Sequence, residues 1–174
     1  MQGHILKFAG AIIVIISCFV IGLSKALNLK YRKKCLEEII ASLNIASAEM
    51  TSLLTPTPEI FKKLSSEFSG AVGNFYSYIS KIASKNDWED LSTAWVQGVR
   101  EYLSCLSKTQ QEELIRLSYV MGKYDGSKQA LSLKAAIMHL ERELAFTGEI
   151  SKEAMRLYCG IGLCSGLMLA FALI

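Results

Sequence analysis

The sequence predicts an all-α protein: an antiparallel helical bundle of about six helices, flanked by an N-terminal and a C-terminal transmembrane helix. Two patterns point there. Apolar residues recur at helical spacing through the middle of the chain, with no sustained period-two alternation. Both ends are apolar and almost uncharged over nearly the width of a bilayer. The composition agrees: 51% of the 174 residues are hydrophobic and 20% are charged, and the mean hydropathy of +0.30 is high for a chain of this size. Such a chain is too apolar for intrinsic disorder. With two prolines, it is also no Pro-rich linker.

The first element is residues 5–23, nineteen residues with only Lys7 charged. Lys7 lies near enough to the end to snorkel. The last is residues 157–174, eighteen residues without a charge. Roughly 20 apolar residues cross the hydrocarbon, with about 17 as the working minimum, so both qualify as short spans. The first has rival readings. Ser24-Lys25-Ala26 is a poor small-x-small signal-peptidase site, and Ile15-Ile16-Ser17-Cys18 resembles a bacterial lipobox. Against cleavage, the basic residues follow the segment instead of preceding it. An apolar Phe19-Val20-Ile21-Gly22-Leu23 also stands where a lipoprotein has a polar tether.

Charge sets the orientation. Lys25, Lys30, Arg32, Lys33 and Lys34 follow the first span, and Lys152 and Arg156 precede the second. The positive-inside rule then places the domain 24–156 in the cytoplasm and both termini outside. The five cations also suit contact with anionic lipid headgroups. The basic stretch is local, because residues 35–156 carry thirteen cations against sixteen carboxylates. Nucleic acid is therefore not an expected partner.

Leu36, Ile39, Ile40, Leu43, Met50, Leu53 and Leu54 give the first long helix an apolar face, and no Gly or Pro interrupts it from Leu23 to Thr55. The span should run straight into it. Thr55-Pro56-Thr57-Pro58-Glu59 ends it, since two prolines are incompatible with a helix interior. Thr57 is the expected N-cap of a second helix, with Pro58 at its first position and Ile60, Phe61, Leu64 and Phe68 on its stripe. Val72, Phe75, Tyr76, Ile79 and Ile82 mark a third, weakened at its start by Ser69-Gly70 and Gly73-Asn74. After a turn at Ser84-Lys85-Asn86-Asp87, Trp88, Leu91, Trp95, Val99 and Leu103 mark a fourth. Thr109 with Glu112 fits a capping box for a fifth, carrying Leu114, Leu117, Val120 and Met121 and ending at Gly122. Asp125 can cap a sixth that buries Leu133, Ile137, Leu140 and Leu144, and Thr147-Gly148 falls before the second span.

Signals for catalysis or metal binding are absent. His4 and His139 have no partner at metal-ligand spacing, and His139 with Glu143 reads as a surface pair. No phosphate-binding or nucleophile-elbow motif occurs. The carboxylate pairs lie on amphipathic helices, where a solvated face is the ordinary reading. Trp88 and Trp95 share a helix face and read as core. Cys18, Cys35, Cys105, Cys159 and Cys164 form no C-x-x-C and read as small packing residues. The expectation is no enzyme, no cofactor and no metal.

Two constellations stand out as contact sites. Gly162, Gly166 and Ala170, each one turn apart in the second span, would let another helix approach closely; the partner is either the first span or another protein. Gly122, Asp125 and Gln129 bracket the junction of the fifth and sixth helices. There Asp125 is either a plain N-cap or, with Gln129, a polar contact for a partner.

In their order these features resemble the stage III sporulation protein AB family. The residues concerned are a short first span, the basic strip, Thr55-Pro56-Thr57-Pro58-Glu59, Thr93-Ala94-Trp95, Gly122-x-x-Asp125-x-x-x-Gln129 before Leu140-Glu141-x-x-Leu144, and a Gly-rich terminal span. The chain departs from the family at Thr57 and Ile60, where Pro-Leu-Pro-Glu-Ala is frequent, and by its glycines at 70 and 73. The resemblance implies a bundle similar to the cytoplasmic domain of the type II secretion F platform protein. It further implies a membrane platform of the mother cell-to-forespore channel. The implied partners are other stage III sporulation channel proteins, including a cytoplasmic secretion-type ATPase (stage III sporulation protein AA); a second copy of this chain is a further candidate. An exported helical lipoprotein, or a signal-anchored interaction protein without a channel role, is the alternative.

Overall fold

In the computed structural model the described residues are 2–53, 55–83, 88–119 and 129–146, with the single positions 160, 164 and 168. All regular structure among them is helical. The chain forms two compact units, Met1–Tyr31 with Phe146–Ile174, and Arg32–Ala145.

Helix α1 runs from Gln2 to Ala48, so the first apolar segment does continue into the amphipathic helix without a break. Within the first unit, Gly22 and Ala26 are buried, one turn apart, while Ile16, Val20, Ile21, Leu23 and Leu27 are exposed. Among the described residues no helix is long and apolar enough to cross a membrane. The side chains of residues 2–15 and nearly all of 147–174, which hold most of both apolar stretches, are outside the described set.

The second unit contains the bundle. Cys35, Leu36, Ile39, Ile40, Leu43 and Ala46 put one face of α1 into its core, and Met50 follows them just beyond its end. A π-helical turn, Glu49–Leu53, follows α1. This widening was not legible in the periodicity. Helix α2, Thr57–Glu67, opens with Pro56 as N-cap, and the Pro56 carbonyl accepts from the amides of Glu59 and Ile60 at 3.0 and 3.2 Å. The start therefore lies one residue before the expected one: Thr57 is the first helical residue and Pro58 the second. Proline is tolerated at both places, because neither needs its amide for an intrahelical bond.

Gly70 is the turning point between α2 and α3, Gly70–Ala83. Its φ of +64° is a left-handed conformation that glycine adopts without a Cβ penalty. Gly73 serves differently: a Cβ there would lie 2.3 Å from the Phe68 carbonyl oxygen. The two glycines that depart from the family pattern thus make the tight α2–α3 connection. Val72, Phe75, Tyr76 and Ile79 of α3 are buried.

Helix α4, Trp88–Tyr102, buries Leu91, Ala94, Trp95 and Val99. Leu103, expected on its face, is buried just beyond its end. Helix α5, Lys108–Leu117, has a capping box formed by Ser107 and Gln110, two residues before the predicted Thr109–Glu112 box. Both tetrads fit the rule. The fold takes the earlier one because Leu103 and Leu106 are both buried, and the Gln111 amide donates to their two carbonyls at 3.2 Å, holding the turn closed. Helix α6 is described over 129–146, with Leu133, Ala136, Ile137 and Leu140 in the core and Leu144 packed against it. Helix α5 ends at Leu117 with Ser118 as C-cap, five residues before the expected end at Gly122, while the predicted turn at 84–87, the Asp125 cap, the bend at Thr147-Gly148 and the second span lie outside the described residues.

Four aromatic rings interlock at the centre. Trp95 meets Phe75 edge-on at 5.0 Å and Phe61 at 5.8 Å, and Tyr76 meets Phe75 at 5.0 Å and Phe61 at 6.1 Å. The polar atoms of this cluster are satisfied. The Trp95 indole donates to the Leu114 carbonyl at 2.7 Å. Ser42 Oγ donates to the Ile39 carbonyl at 2.7 Å, so the 2.8 Å contact between Ser42 and Tyr76 has the phenol as donor. Burial pushes the Tyr76 pKa up, which keeps the phenol protonated for that bond.

The two glycines should separate in a urea-unfolding series on the full chain. Gly73→Ala, whose methyl meets backbone, should lose roughly 1–3 kcal/mol of stability by overpacking. Gly70→Asn, which tolerates the left-handed region, should lose less than about 1 kcal/mol. Equal losses would place the constraint elsewhere.

Candidate functional site

The sequence singled out three groups of residues, and the structure treats them differently. Gly122 and Asp125 are outside the described residues. Gln129 is buried near the start of the described part of α6, so it is not an exposed contact residue. Gly162, Gly166 and Ala170 are also outside the described set. The basic strip is described in full. Lys25, Lys30, Arg32 and Lys34 are exposed and Lys33 is partly buried. Lys33 pairs with Glu37 at 3.4 Å and Lys34 with Glu38 at 3.6 Å, each one helical turn on. Lys25, Lys30 and Arg32 have no ion pair among the described residues. The strip is thus divided: its first part is exposed without an ion pair among the described residues, and its last two lysines pair within their own helix.

One surface was not anticipated. A recess of about 590 Å³ is lined by Thr93, Gln97, Arg100 and Glu101 of α4 and by Ser118 and Tyr119 after α5. Ser118 is buried, and its hydroxyl has no hydrogen-bond partner among the described residues; Tyr119 is 66% exposed. Thr93 stands on the outer side of the Thr93-Ala94-Trp95 motif, whose other two residues are in the core. Val96 lines the recess as well, and its surface is more apolar than polar, with hydroxyls, one amide and both signs of charge among the lining groups. Among the described residues no group of three His, Cys, Asp or Glu can hold a metal ion.

A second polar feature lies at the π-turn. Glu49, the first residue of the π-turn, is buried three residues after the core residue Ala46. The Lys63 ammonium of α2 donates to its Oε1, and the Thr55 hydroxyl donates to its Oε2 at 2.9 Å. Lys63, then Thr55, hold the Glu49 carboxyl below the usual carboxylate range, and Glu49 raises the Lys63 pKa in return. Thr55 therefore contributes more than the end of a helix. A carboxylate inside an apolar stripe, just before the two prolines, was the signal available in the sequence.

The sign of the pH effect follows for each partner. The lowered Glu49 pKa adds stability above its unfolded value of 4.5, lost as pH falls through the folded pKa. The raised Lys63 pKa adds stability below 10.5, lost as pH rises through the folded pKa. The clasp is at full strength between these limits. Glu49→Gln should lower the melting temperature at neutral pH and reduce the further loss between pH 5 and 3. Parallel melting curves for wild type and variant, offset equally at every pH, would show that the carboxylate charge is not what matters.

Comparison with known proteins places these features. The stage III sporulation protein AB family profile matches residues 7–174. Stage III sporulation protein AB of Bacillus subtilis (strain 168) is 24% identical over 170 residues, covering 97% of this chain and 99% of that protein. A solved structure of a stage III sporulation protein AB superposes with a TM-score of 0.62 at 23% identity, covering 70% of this chain and 96% of the solved one. The likeness of fold thus takes in nearly all of the solved chain, and the sequence match extends over both apolar ends. The chain belongs to the stage III sporulation protein AB family.

Proposed function

We propose that this protein is a membrane platform in the sporulation apparatus that joins mother cell and forespore. In this reading residues 5–23 and 157–174 cross the membrane around the forespore, and the body between them lies in the cytoplasm. It links a cytoplasmic secretion-type ATPase, stage III sporulation protein AA, to the membrane components of the channel. Its work is assembly, with no reaction of its own and no cofactor.

The observation that carries the proposal is the family match across residues 7–174, both apolar ends included. Several physical features support it. Ile16, Val20, Ile21, Leu23 and Leu27 of α1 are 41–63% exposed. A water-soluble surface rarely tolerates such a cluster, whereas lipid accepts it without cost. The exposed Lys25, Lys30 and Arg32 follow at the position where cations meet anionic headgroups on the cytoplasmic side. The recess along α4, more apolar than polar, gives a surface on which a soluble partner can seat. The coupling to an ATPase rests on analogy with the secretion platform domain.

Deleting the gene should block formation of heat-resistant spores and leave growth in rich medium unchanged. Tagged full-length protein should stay with the membrane after a high-salt wash and co-purify the ATPase from sporulating cells. Normal spores from the deletion strain would overturn the sporulation role, and release by salt alone would overturn the spans. For topology, Glu112→Cys in a chain whose native cysteines are replaced by serine should react with an impermeant maleimide only after lysis. Labelling in intact cells would reverse the orientation and remove the ATPase from reach.

A further inference from the structure

Helix α6 carries two apolar rows. The inner one, Leu133, Ala136, Ile137 and Leu140, is in the core. On the opposite side Leu131, Ala135 and Met138 follow one another at helical spacing, and all three are exposed. Leu131 is 70% exposed and Met138 65%. Arg142 continues this outer row one turn further on. A helix that packs on its own bundle through one face ordinarily carries polar residues on the other. The outer row therefore does nothing for the packing of the bundle that bears it.

The charges beside the row are unmatched within the helix. Lys134 and Glu141 lie on the same flank of it, seven residues apart, and both are exposed. Every residue three or four places from either one is apolar. Neither can make the one-turn pair that Lys33 and Lys34 make with Glu37 and Glu38, and neither has an ion pair among the described residues. The two charges do match each other, in a second copy of the helix laid antiparallel. Ala135 then stands opposite the partner's Met138, and Leu131 opposite the partner's Arg142. That register closes the apolar row about a two-fold axis. It also sets Lys134 beside the partner's Glu141 and, by symmetry, Glu141 beside the partner's Lys134. The stem of Arg142 covers the partner's Leu131 while its guanidinium reaches water. A parallel copy in register sets Lys134 toward the partner's His139 and Glu141 toward the partner's Phe146, so it matches neither charge.

We propose that the outer face of α6 is a self-association surface, on which a second copy of this chain lays its own α6 antiparallel, with Leu131, Ala135 and Met138 as the seam and two Lys134–Glu141 pairs fixing the register. Charge complementarity selects this occupant: one helix face supplies both halves of each pair. A single helix pair is small beside the ~1,200 Å² at which standard interfaces begin. The contact is therefore weak between free molecules and takes effect where copies are held at high local concentration. The surface shares no residue with the recess along α4, so a copy seated on α6 leaves that recess open to another protein. The inference stands or falls without the channel role.

The test uses two differently tagged full-length copies, native cysteines replaced by serine, produced together in a bacterium that makes no spores. One copy carries Ala135→Cys and the other Met138→Cys, and the probe is the membrane-permeant crosslinker bis-maleimidoethane. The mixed pair should crosslink well above a control pair in which both copies carry Glu112→Cys on α5. Lys134→Glu in both copies sets carboxylate against carboxylate and should lower the yield several-fold; Glu141→Lys in both copies sets ammonium against ammonium and should do the same. Lys134→Glu in one copy with Glu141→Lys in the other makes both pairs attractive again and should restore the yield. That restoration also shows that each variant is folded. A yield at 135–138 no higher than at 112 would overturn the proposal. So would a yield that either charge reversal leaves unchanged, or one that the complementary pair fails to restore, as expected if α6 meets lipid or an unrelated protein instead.

Discussion

Trp95 is the residue on which the bundle turns. Its ring lies between Phe61 of α2 and Phe75 of α3, and its indole nitrogen donates to a backbone carbonyl of α5. Tyr76, packed on the same two rings, adds α1 through its bond to Ser42. One aromatic cluster therefore fixes the relation of five helices, which aliphatic packing alone does less specifically. Aliphatic side chains can slide past each other at small cost, but a buried indole or phenol must keep its donor paired. The glycines support the same centre. Gly73 allows the chain to return closely after α2, and a Cβ at Gly98 would press on the Phe75 ring at 3.1 Å.

Around that centre the polar groups occupy connections. The Glu49–Lys63–Thr55 clasp ties the end of α1 to α2 across the two prolines. The Ser107–Gln110 box and the Gln111 side chain hold the turn before α5, and this turn carries Cys105. The body is thus hydrogen-bonded at these joints as well as packed in its core. In the proposed platform role, a partner seated at the α4 recess would meet a surface whose neighbouring residues, Ala94 and Trp95, belong to the core itself.

The basic strip shows how one stretch of charge is divided between two tasks. Lys33 and Lys34 lie one turn before Glu37 and Glu38, so much of their charge is spent within the helix. Arg32 is exposed and has no ion pair among the described residues. Lys25 and Lys30, earlier in α1, are left to the surroundings. A count of cations in the sequence treats all five alike; their neighbours in space do not.

The all-helical class, the uninterrupted α1, the break at the two prolines and most of the core were determined by the sequence alone. Leu36, Ile39, Leu43, Ile60, Phe61, Leu64, Phe75, Tyr76, Ile79, Leu91, Trp95 and Val99 recur at helical spacing, and burial follows periodicity whenever one face of a helix is covered. The family was legible for a related reason, because its motifs are the points where such periods begin and end. What the tertiary structure decided are the matters on which local patterns are degenerate. Ser107 and Thr109 both satisfy the capping rule, and only the burial of Leu103 and Leu106 selects the first. Pro56, not Thr57, takes the N-cap place of α2. The recess at Thr93 and Ser118 and the bond from Trp95 to the Leu114 carbonyl join residues distant in the chain. Spacing along one helix carries no information about such encounters, since they depend on how the helices pack across one another.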